Sequence, residues 1–265
     1  MNSELEKAIL ATLAYFDIFD YPLTLVELWR YLYQQSTFSI FNIQKTLESS
    51  EKLKKAIIYK NGFYFLKGRE DLIKKRKERH DIAQPKWKIA QKAAKYLELV
   101  PFIKMMAVCN TLAYDNAGEK SDIDFFIIVK SDRMWTARFL ATLLMQFLGL
   151  RRYNKKIKDR ICLSFYVTED NLDLSNIAIQ DDIYLRYWIS QVIPLYVRDD
   201  MDVKFAGANK WAKNYLPNFI LYQAGQKRKV LDNRFFIAVR TIREKILRGR
   251  LGDATEGWLK KIQRS

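Results

Sequence analysis

Apolar residues at helical spacing open the chain and predict helices in its first part. The first helical stretch covers residues 3–19, and its apolar face comprises Leu5, Ala8, Ile9, Thr12, Leu13 and Phe16. Thr24 and Glu27 form a T-x-x-E capping box, in which each side chain accepts a hydrogen bond from the backbone N–H of the other residue. Ser39 is placed to cap a third helix. This part of the chain is therefore expected to form a group of short helices.

A hairpin signal follows the third helix. Two β-rich runs, residues 56–60 and 63–67, are separated by Asn61-Gly62, and both turn residues tolerate the positive φ angles of a type I′ turn. Short helices followed by a hairpin are typical of a winged helix-turn-helix, so residues 1–68 are predicted to form a winged-helix-like domain. Because basic and acidic residues are mixed on the third helix, DNA binding and a protein-contact role both stay open.

The middle of the chain changes from a charged helical pattern to strands. Residues 69–98 are rich in Lys and Arg and predict a basic helical connector, which Pro85 is expected to split into two helices. Residues 99–175 predict a compact core of strands and one helix. The apolar runs predict strands at 102–110, 123–130 and 160–168 and a helix at about 134–150.

The last third of the chain predicts helices. Helical patterns cover residues 181–197, 210–223 and 234–251, so residues 176–265 are predicted to form a helical C-terminal domain. The fold class expected for the whole chain is α+β. A small mixed-sheet core would be flanked by the N-terminal winged helix and the C-terminal helices.

The chain carries a strong positive charge. It has 46 Lys and Arg residues against 30 Asp and Glu residues, which gives a formal net charge of +16. An excess of this size favours an anionic partner such as nucleic acid, and a solvated basic surface is the alternative. The basic run of the connector comprises Lys74, Lys75, Arg76, Lys77 and Arg79.

Cysteine and histidine content excludes several kinds of site. Cys109 and Cys162 lie inside apolar runs and are expected to be buried free thiols, which fits a cytoplasmic protein. His80 is the only histidine and lies in a charged segment, so Ser-His-Asp triads and Cys/His zinc clusters lack members. The N-terminus has early acids and no basic n-region, and the most apolar stretch is short and contains Arg138. Neither a signal peptide nor a membrane span is therefore expected.

Two aspartates stand at the entrance of an apolar predicted strand, in the sequence SDIDFFIIVK at residues 121–130. Strands are depleted in Asp, and Asp is rarely buried without a partner. Residues i and i+2 of a strand share a face, so Asp122 and Asp124 direct two carboxylates to one point. Mg²⁺ is often held by one or two carboxylates together with substrate phosphates. The alternative is a plain strand start, in which one acid caps the loop and the other pairs with a nearby lysine.

Residues 110–129, NTLAYDNAGEKSDIDFFIIV, resemble the signature of the DNA polymerase beta-type nucleotidyltransferase superfamily. Asn110-Thr111 stands where that family has Gly-Ser, and Ala113 stands at its small-residue position. Ser121-Asp122-Ile123-Asp124 matches the acidic motif before an apolar strand. The resemblance covers roughly residues 102–170 and implies a small mixed-sheet nucleotidyltransferase core.

The resemblance implies a Mg²⁺-dependent transfer of a nucleoside monophosphate from a nucleoside triphosphate (NTP) to an acceptor hydroxyl. By position, Asp122 and Asp124 would be the catalytic carboxylates and the metal ligands, for one or two Mg²⁺ ions. Asn110 and Thr111 would meet the phosphates, through the backbone turn and the Thr111 hydroxyl, and Ser121 would cap the loop beside the nucleotide. The acceptor stays open, and a nucleic acid such as tRNA or DNA is the partner that the basic charge favours.

Two positions depart from the family's pattern. Asn110 replaces a glycine, and Asn is the next most favourable residue at positive φ. The family usually has a third carboxylate on the strand after the helix, but residues 160–168 contain no acid, and Ser164 stands on the plausible position. The nearest acids lie outside that strand: Asp159, Glu169 and Asp170. Because the third carboxylate often deprotonates the acceptor hydroxyl, two functions stay open, an active nucleotidyltransferase and a catalytically degenerate nucleic-acid-binding or regulatory protein.

Overall fold

The computed structural model describes residues 2–219 and 228–264, which divide into two compact units. The first unit contains three segments of the described chain: residues 2–81, Ile179–Ser190 and residues 210–219. The second unit contains Ile82–Ala178, Gln191–Asn209 and the described residues that follow 227. The segments assigned from sequence to the connector and to the C-terminal domain are thus shared between the two units.

The first unit begins with short helices and a hairpin. Its first elements are α1 (Asn2–Asp17), α2 (Leu25–Arg30), α3 (Ile40–Ser49), α4 (Glu51–Ala56), β1 (Ile57–Lys60) and β2 (Phe63–Leu66). Thr24 and Glu27 form the expected capping box, and the Ser39 side chain caps α3. Asn61 and Gly62 join the antiparallel strands at φ angles of 53° and 85°, as a type I′ turn requires. The capping residues and the hairpin are confirmed.

A single long helix, α5 (Leu72–Leu97), covers the region predicted to be two helices. Pro85 lies inside this helix without ending it, so the predicted split is wrong. A proline removes the hydrogen bond to the carbonyl four residues earlier and crowds that carbonyl. The good helix formers around Pro85 (Ala, Gln and Lys) nevertheless continue the helix on both sides. The carbonyl that loses this bond belongs to Asp81, the last residue of the N-terminal segment of the first unit.

Part of the basic run in α5 is paired with acids of the first unit. Lys75 and Arg79 approach the carboxylate of Asp20 at 3.1 and 3.3 Å. Arg76 approaches the carboxylate of Glu27 at 2.7 Å. Because each of these three cations already faces a carboxylate, the run offers less positive charge to an external partner than its sequence suggests.

The described residues of the second unit centre on a four-stranded mixed sheet. Its strands are β3 (Ile103–Val108), β4 (Ile123–Val129), β5 (Ile161–Thr168) and β6 (Ile193–Val197), in the order β5–β4–β3–β6. The remaining α-helices among the described residues are α6 (Asn110–Ala113), α7 (Met134–Phe147), α8 (Ile183–Gln191), α9 (Met201–Ala208), α10 (Arg234–Ile246) and α11 (Arg250–Arg264). Of these, α8 belongs to the first unit up to Ser190. β3 is antiparallel to β4 and β6, whereas β4 and β5 are parallel and are connected through α7. The prediction of an α+β fold with a small mixed sheet is confirmed at this level.

β4 is buried along almost its whole length. Ile123 and the run from Phe125 to Val129 are buried, and Asp124 is the one residue of the strand that is partly exposed. A strand that is covered on both faces is expected to be a continuous apolar run, which is what its sequence shows. The acid therefore stands out as the single polar position on an otherwise apolar strand.

The prediction of a helix over residues 181–197 is wrong in its second half. α8 ends at Gln191, and the chain then forms β6 at the edge of the core sheet. Pro194 lacks an N–H and cannot continue a helix, and the Ile, Tyr and Val residues around it favour strands. The predicted helical C-terminal domain therefore contributes a strand to the sheet that carries the candidate site.

Two other C-terminal patterns also differ from long helices. The predicted helix over residues 210–223 is a short 3-10 helix at Lys210–Asn214, and residues 220–223 lie outside the described residues. Gly249, at a φ of 79°, separates α10 from α11 within the 234–251 pattern. None of the described helices is long and apolar enough to cross a membrane.

Candidate metal and nucleotide site

Asp122 and Asp124 flank Ile123, the buried first residue of β4. Their side chains share one face of the strand, as the i, i+2 spacing predicts. One ligand atom of each aspartate and the sulfur of Cys162 all lie within 4.8 Å of one another. We call these three residues the acid–thiol cluster. The structure thus brings the two predicted metal ligands together and adds a third candidate that the sequence pattern did not single out.

Cys162 enters the cluster through the parallel pairing of β4 with β5, in which it is the partner of Asp124. Ser164, which was expected to stand at this point, is exposed two residues further along, with its Oγ 3.1 Å from the Cys162 Sγ. That expectation is wrong because no local pattern fixes the register between two parallel strands. No sequence signal singled out Cys162, because its place beside Asp124 depends on this register.

The acids that flank β5 do not complete the cluster. Asp159 lies 2.6 Å from the Nζ atom of Lys86, and Glu169 lies 3.7 Å from the Nζ atom of Lys104. Asp170 is exposed on the loop after the strand. Among the described residues, the one group of three or more Asp, Glu, Cys or His ligands at metal-binding spacing is the acid–thiol cluster itself.

The turn at Asn110 faces Asp124. Asn110 has a φ of 56° and begins α6 shortly after β3. Its Nδ2 atom donates a hydrogen bond of 2.9 Å to Oδ2 of Asp124, and the N–H of Cys109 donates to the Asp124 carbonyl at 3.1 Å. Asn tolerates the left-handed region better than most residues, so Asn110 keeps the turn and adds a contact that glycine cannot make. Thr111 lies half-buried on the same turn.

A buried lysine fixes the loop that precedes the two aspartates. Lys86 of α5 is 1% exposed. Its Nζ atom donates to the carbonyls of Ser121 and Glu119 at 2.9 and 3.3 Å and lies 2.6 Å from Oδ1 of Asp159. The Ser121 hydroxyl donates to the carbonyl of Gly118 at 2.9 Å and closes the turn. Ser121 therefore caps the loop, and Lys86 holds the entrance of β4 in place.

Replacing Lys86 with Met is expected to lower the free energy of unfolding by about 2–3 kcal/mol, because two carbonyls and a carboxylate lose their donor. The Asp159 side chain is 37% exposed, so the loss should stay below that of a fully buried ion pair. Urea denaturation measures the change. Lys88→Met, at an exposed position of the same helix, is the matched control and should shift stability by less than about 0.5 kcal/mol. Equal effects of the two substitutions would rule out Lys86 as an anchor of the loop.

Arg152 pairs with Asp122. Its Nη1 atom lies 2.6 Å from Oδ2 of Asp122 and 3.9 Å from the Cys162 sulfur. The salt bridge of the plain-strand alternative thus exists, but its cation is Arg152 and not one of the neighbouring lysines. The Arg152 side chain is 45% exposed, so the guanidinium has room to turn into solvent when another cation binds Asp122.

Burial raises the pKa of two groups in the cluster. It raises the pKa of the Asp124 carboxyl; the hydrogen bond from Asn110 opposes this change, and the negative charge of Asp122 adds to it. Burial also raises the pKa of the Cys162 thiol, which contact with Ser164 partly offsets. A thiol whose pKa lies above its ordinary value is almost fully protonated at neutral pH. Cys162 therefore does not replace a carboxylate as a proton acceptor.

The acid–thiol cluster does not line the wide cavities of the second unit. An apolar groove of about 640 Å³ is lined by residues such as Leu144 and Ile246, and a polar cavity of about 860 Å³ is lined by residues such as Lys130 and Glu256. Neither aspartate belongs to either lining. Asp122 and Asp124 lie at the entrance of β4, where both side chains are partly exposed.

Comparisons with known proteins add no further guide. No protein-family model, no curated protein and no solved structure matches the chain. The case for a function therefore depends on the geometry of the acid–thiol cluster and of the residues around it.

Proposed function

We propose that the second unit is a Mg²⁺-dependent nucleotidyltransferase domain, which moves a nucleoside monophosphate from an NTP to an acceptor hydroxyl. The observation that carries the proposal is the pairing of Asp122 and Asp124 on one strand face, beside the positive-φ turn at Asn110. Two neighbouring carboxylates at a largely buried strand repel each other, and the partly exposed Arg152, which pairs with Asp122, offsets only part of this repulsion. A divalent ion that also binds phosphates suits this arrangement.

The donor set fits one Mg²⁺ ion better than two. Asp122 and Asp124 supply hard oxygen ligands, and Mg²⁺ commonly takes its remaining ligands from water and substrate phosphates. Cys162 supplies a soft sulfur, which Mg²⁺ does not favour. The two aspartates would therefore hold a single ion together with the triphosphate. Bound there, the ion would neutralise the charge that develops on the phosphoryl oxygens during transfer.

The residues around the aspartates would bind and orient the nucleotide. Successive backbone N–H groups in a turn such as the one at Asn110 form a concavity that favours phosphate oxygens. The Thr111 hydroxyl lies on that turn and can donate a further hydrogen bond. Arg152, once displaced from Asp122, can direct its planar guanidinium at a phosphate. Ser121 would act indirectly, by keeping the loop in the shape that positions Asp122.

Nucleotide binding and turnover test the proposal. Isothermal titration calorimetry with ATP, CTP, GTP and UTP, each with and without Mg²⁺, should find at least one NTP that binds only when the ion is present. Pyrophosphate release with the same nucleotides, in the presence of tRNA to supply an acceptor hydroxyl, should identify the preferred base. If none of the four shows Mg²⁺-dependent binding, the proposal is wrong.

Arg152→Gln is expected to tighten Mg²⁺ binding about two- to fivefold in the absence of nucleotide, because an exposed ion pair with Asp122 no longer competes. The same substitution should weaken NTP binding in the presence of Mg²⁺, because a phosphate loses its guanidinium. Calorimetry measures both changes. Lys120→Gln removes one exposed positive charge from the same loop region and serves as the control. If both variants change affinity alike, Arg152 has no specific role.

A second candidate function is a catalytically degenerate protein that binds nucleotide or nucleic acid without transfer. Cys162 favours this candidate, because a protonated thiol stands beside the acids and no further carboxylate of the described residues joins them. The helices and hairpin of the first unit, which we propose to be a winged-helix-like module, would then bind nucleic acid in their own right. This candidate predicts NTP binding without pyrophosphate release.

A further inference from the structure

We propose that residues 151–160, here called the basic loop, bind the phosphate backbone of single-stranded nucleic acid beside the acid–thiol cluster. The loop sequence RRYNKKIKDR contains six basic residues and one acidic residue among ten. The binding does not depend on the proposed function. The idea that the bound strand also supplies the acceptor hydroxyl rests on that function.

The basic loop has a fixed backbone. The N–H of Arg152 bonds the carbonyl of Ile161 at 2.9 Å, and the N–H of Ile161 bonds the carbonyl of Leu150 at 2.8 Å, which closes both ends of the loop on β5. Tyr153 and Lys156 face each other across a tight turn, with reciprocal backbone hydrogen bonds of 3.3 and 2.9 Å. The side chains of the loop are therefore presented from a defined scaffold, which lowers the entropic cost of binding.

The basic loop contacts the segment that carries the two acids, residues 121–124, at several points. Arg152 reaches Asp122 at 2.6 Å, and the N–H of Asp159 donates to the carbonyl of Ser121 at 3.2 Å. A strand whose phosphates follow the loop would therefore have its end close to the two aspartates. This position suits the acceptor of a nucleotidyl transfer better than a surface remote from the acids.

Most of the positive charge of the basic loop faces solvent. The one acid of the loop, Asp159, is already paired with Lys86 from outside the loop. Lys158 has an exposed partner, Glu119, and exposed ion pairs are weak. Within the basic loop, Lys155 and Lys156 are exposed and have no carboxylate partner among the residues that the structure describes. The run in α5 differs, because several of its cations face acids of the first unit.

An exposed aromatic ring favours a nucleic acid over a membrane or an acidic protein as the partner. Tyr153 is 53% exposed within the basic loop, and its ring centroid lies 5.8 Å from the guanidinium carbon of Arg151. Aromatic rings among basic residues bind single strands, because bases stack on the rings while phosphates are neutralised. The bases of a duplex are already stacked on each other, so Tyr153 favours a single strand.

Fluorescence anisotropy with a short labelled single-stranded RNA, and with DNA of the same sequence, tests the proposal at about 50 and 200 mM salt. Replacing Lys155, Lys156 and Lys158 together with Gln is expected to weaken binding about tenfold or more at low salt. The slope of log affinity against log salt should fall by about 2, because each phosphate contact on a single strand contributes about 0.7. Tyr153→Ala should weaken binding about tenfold and leave the slope unchanged, because stacking releases no counterions.

A matched control replaces Lys74, Lys77 and Lys88, three exposed lysines of α5, and removes the same charge. Equal losses of nucleic-acid affinity in the two triple variants would overturn the proposal. Binding to phosphatidylserine vesicles without binding to the single-stranded RNA or DNA would overturn it as well. Binding of ATP, CTP, GTP and UTP with Mg²⁺ is measured on the unaltered chain. If any of the four binds and neither strand does, the basic-loop proposal fails and the proposed function stands. If a strand binds through the loop and no NTP binds, the proposed function fails and the basic-loop proposal stands.

Discussion

Asp124→Asn is expected to abolish Mg²⁺-dependent NTP binding and to reduce pyrophosphate release by at least about 100-fold, because the ion contributes several kcal/mol to transfer. The carboxamide keeps the shape of the side chain and removes the negative charge that the ion requires. Asp122→Asn should act in the same direction, since an oxygen of each carboxylate lies within 4.8 Å of the other. Calorimetry and a pyrophosphate assay measure the two effects separately.

The Asp124→Asn variant is expected to be as stable as the original chain at neutral pH, or more stable. Burial raises the pKa of Asp124 above its value in the unfolded chain. The carboxyl therefore contributes stability that is present below its unfolded pKa and is lost as the pH rises through its folded-state pKa. A side chain that does not ionise avoids this loss, so the advantage of the variant in thermal unfolding should appear at pH 7 and vanish in acid.

Asp122→Asn breaks the exposed pair with Arg152 and should cost at most about 1 kcal/mol of stability. Glu119→Gln, which removes an exposed acid close to the site, is the control and should leave NTP binding unchanged. Suppose instead that both aspartate variants lost several kcal/mol of stability and still bound NTP with Mg²⁺. The acids would then be structural members of the loop and not metal ligands.

Cys162→Asp is expected to raise pyrophosphate release about 100-fold, because a carboxylate beside the two acids can deprotonate the acceptor hydroxyl. Cys162 pairs with Asp124 across the parallel strands, so the new acid would join the same cluster. Three carboxylates without an ion repel one another. The variant should therefore unfold at a lower temperature than the original chain without Mg²⁺ and should recover stability when Mg²⁺ is added.

Cys162→Asn is the matched control, because it has the shape of the aspartate variant without its charge. It should show neither the gain in pyrophosphate release nor the Mg²⁺-dependent recovery of stability. If the natural chain releases no pyrophosphate and the aspartate variant does, the natural chain is the catalytically degenerate protein of the second candidate function. If the aspartate and asparagine variants behave alike, position 162 is not where a third carboxylate acts.

Features encoded by neighbouring residues could be predicted from the sequence. The capping box at Thr24, the hairpin at Asn61-Gly62 and the shared face of Asp122 and Asp124 depend only on residues a few positions apart. The positive φ of Asn110 likewise follows from one residue type in a turn. The conformational propensities of single residues and the spacing of neighbouring residues were therefore enough to locate the two candidate acids and the turn beside them.

Features created by distant contacts could not be predicted. Cys162 joins the cluster through a strand register, and Lys86 holds the loop through Ser121 and Asp159, which are 35 and 73 positions away. Two basic runs also look alike in the sequence. The run in α5 meets acids such as Glu27, 49 positions from Arg76, whereas the basic loop keeps most of its charge towards solvent. Only the fold shows which of the two runs is available to a polyanion.

The central claim is that Asp122 and Asp124 together hold the divalent ion of a bound NTP. A crystal structure with Mn²⁺ and a non-hydrolysable NTP analogue, measured for anomalous scattering, tests this claim most directly. One anomalous peak is expected about 2.1 Å from a carboxylate oxygen of each aspartate. Arg152 should then be displaced from Asp122 and bound to a phosphate. A nucleotide bound elsewhere, or Arg152 still paired with Asp122 and no peak between the two acids, would contradict the account.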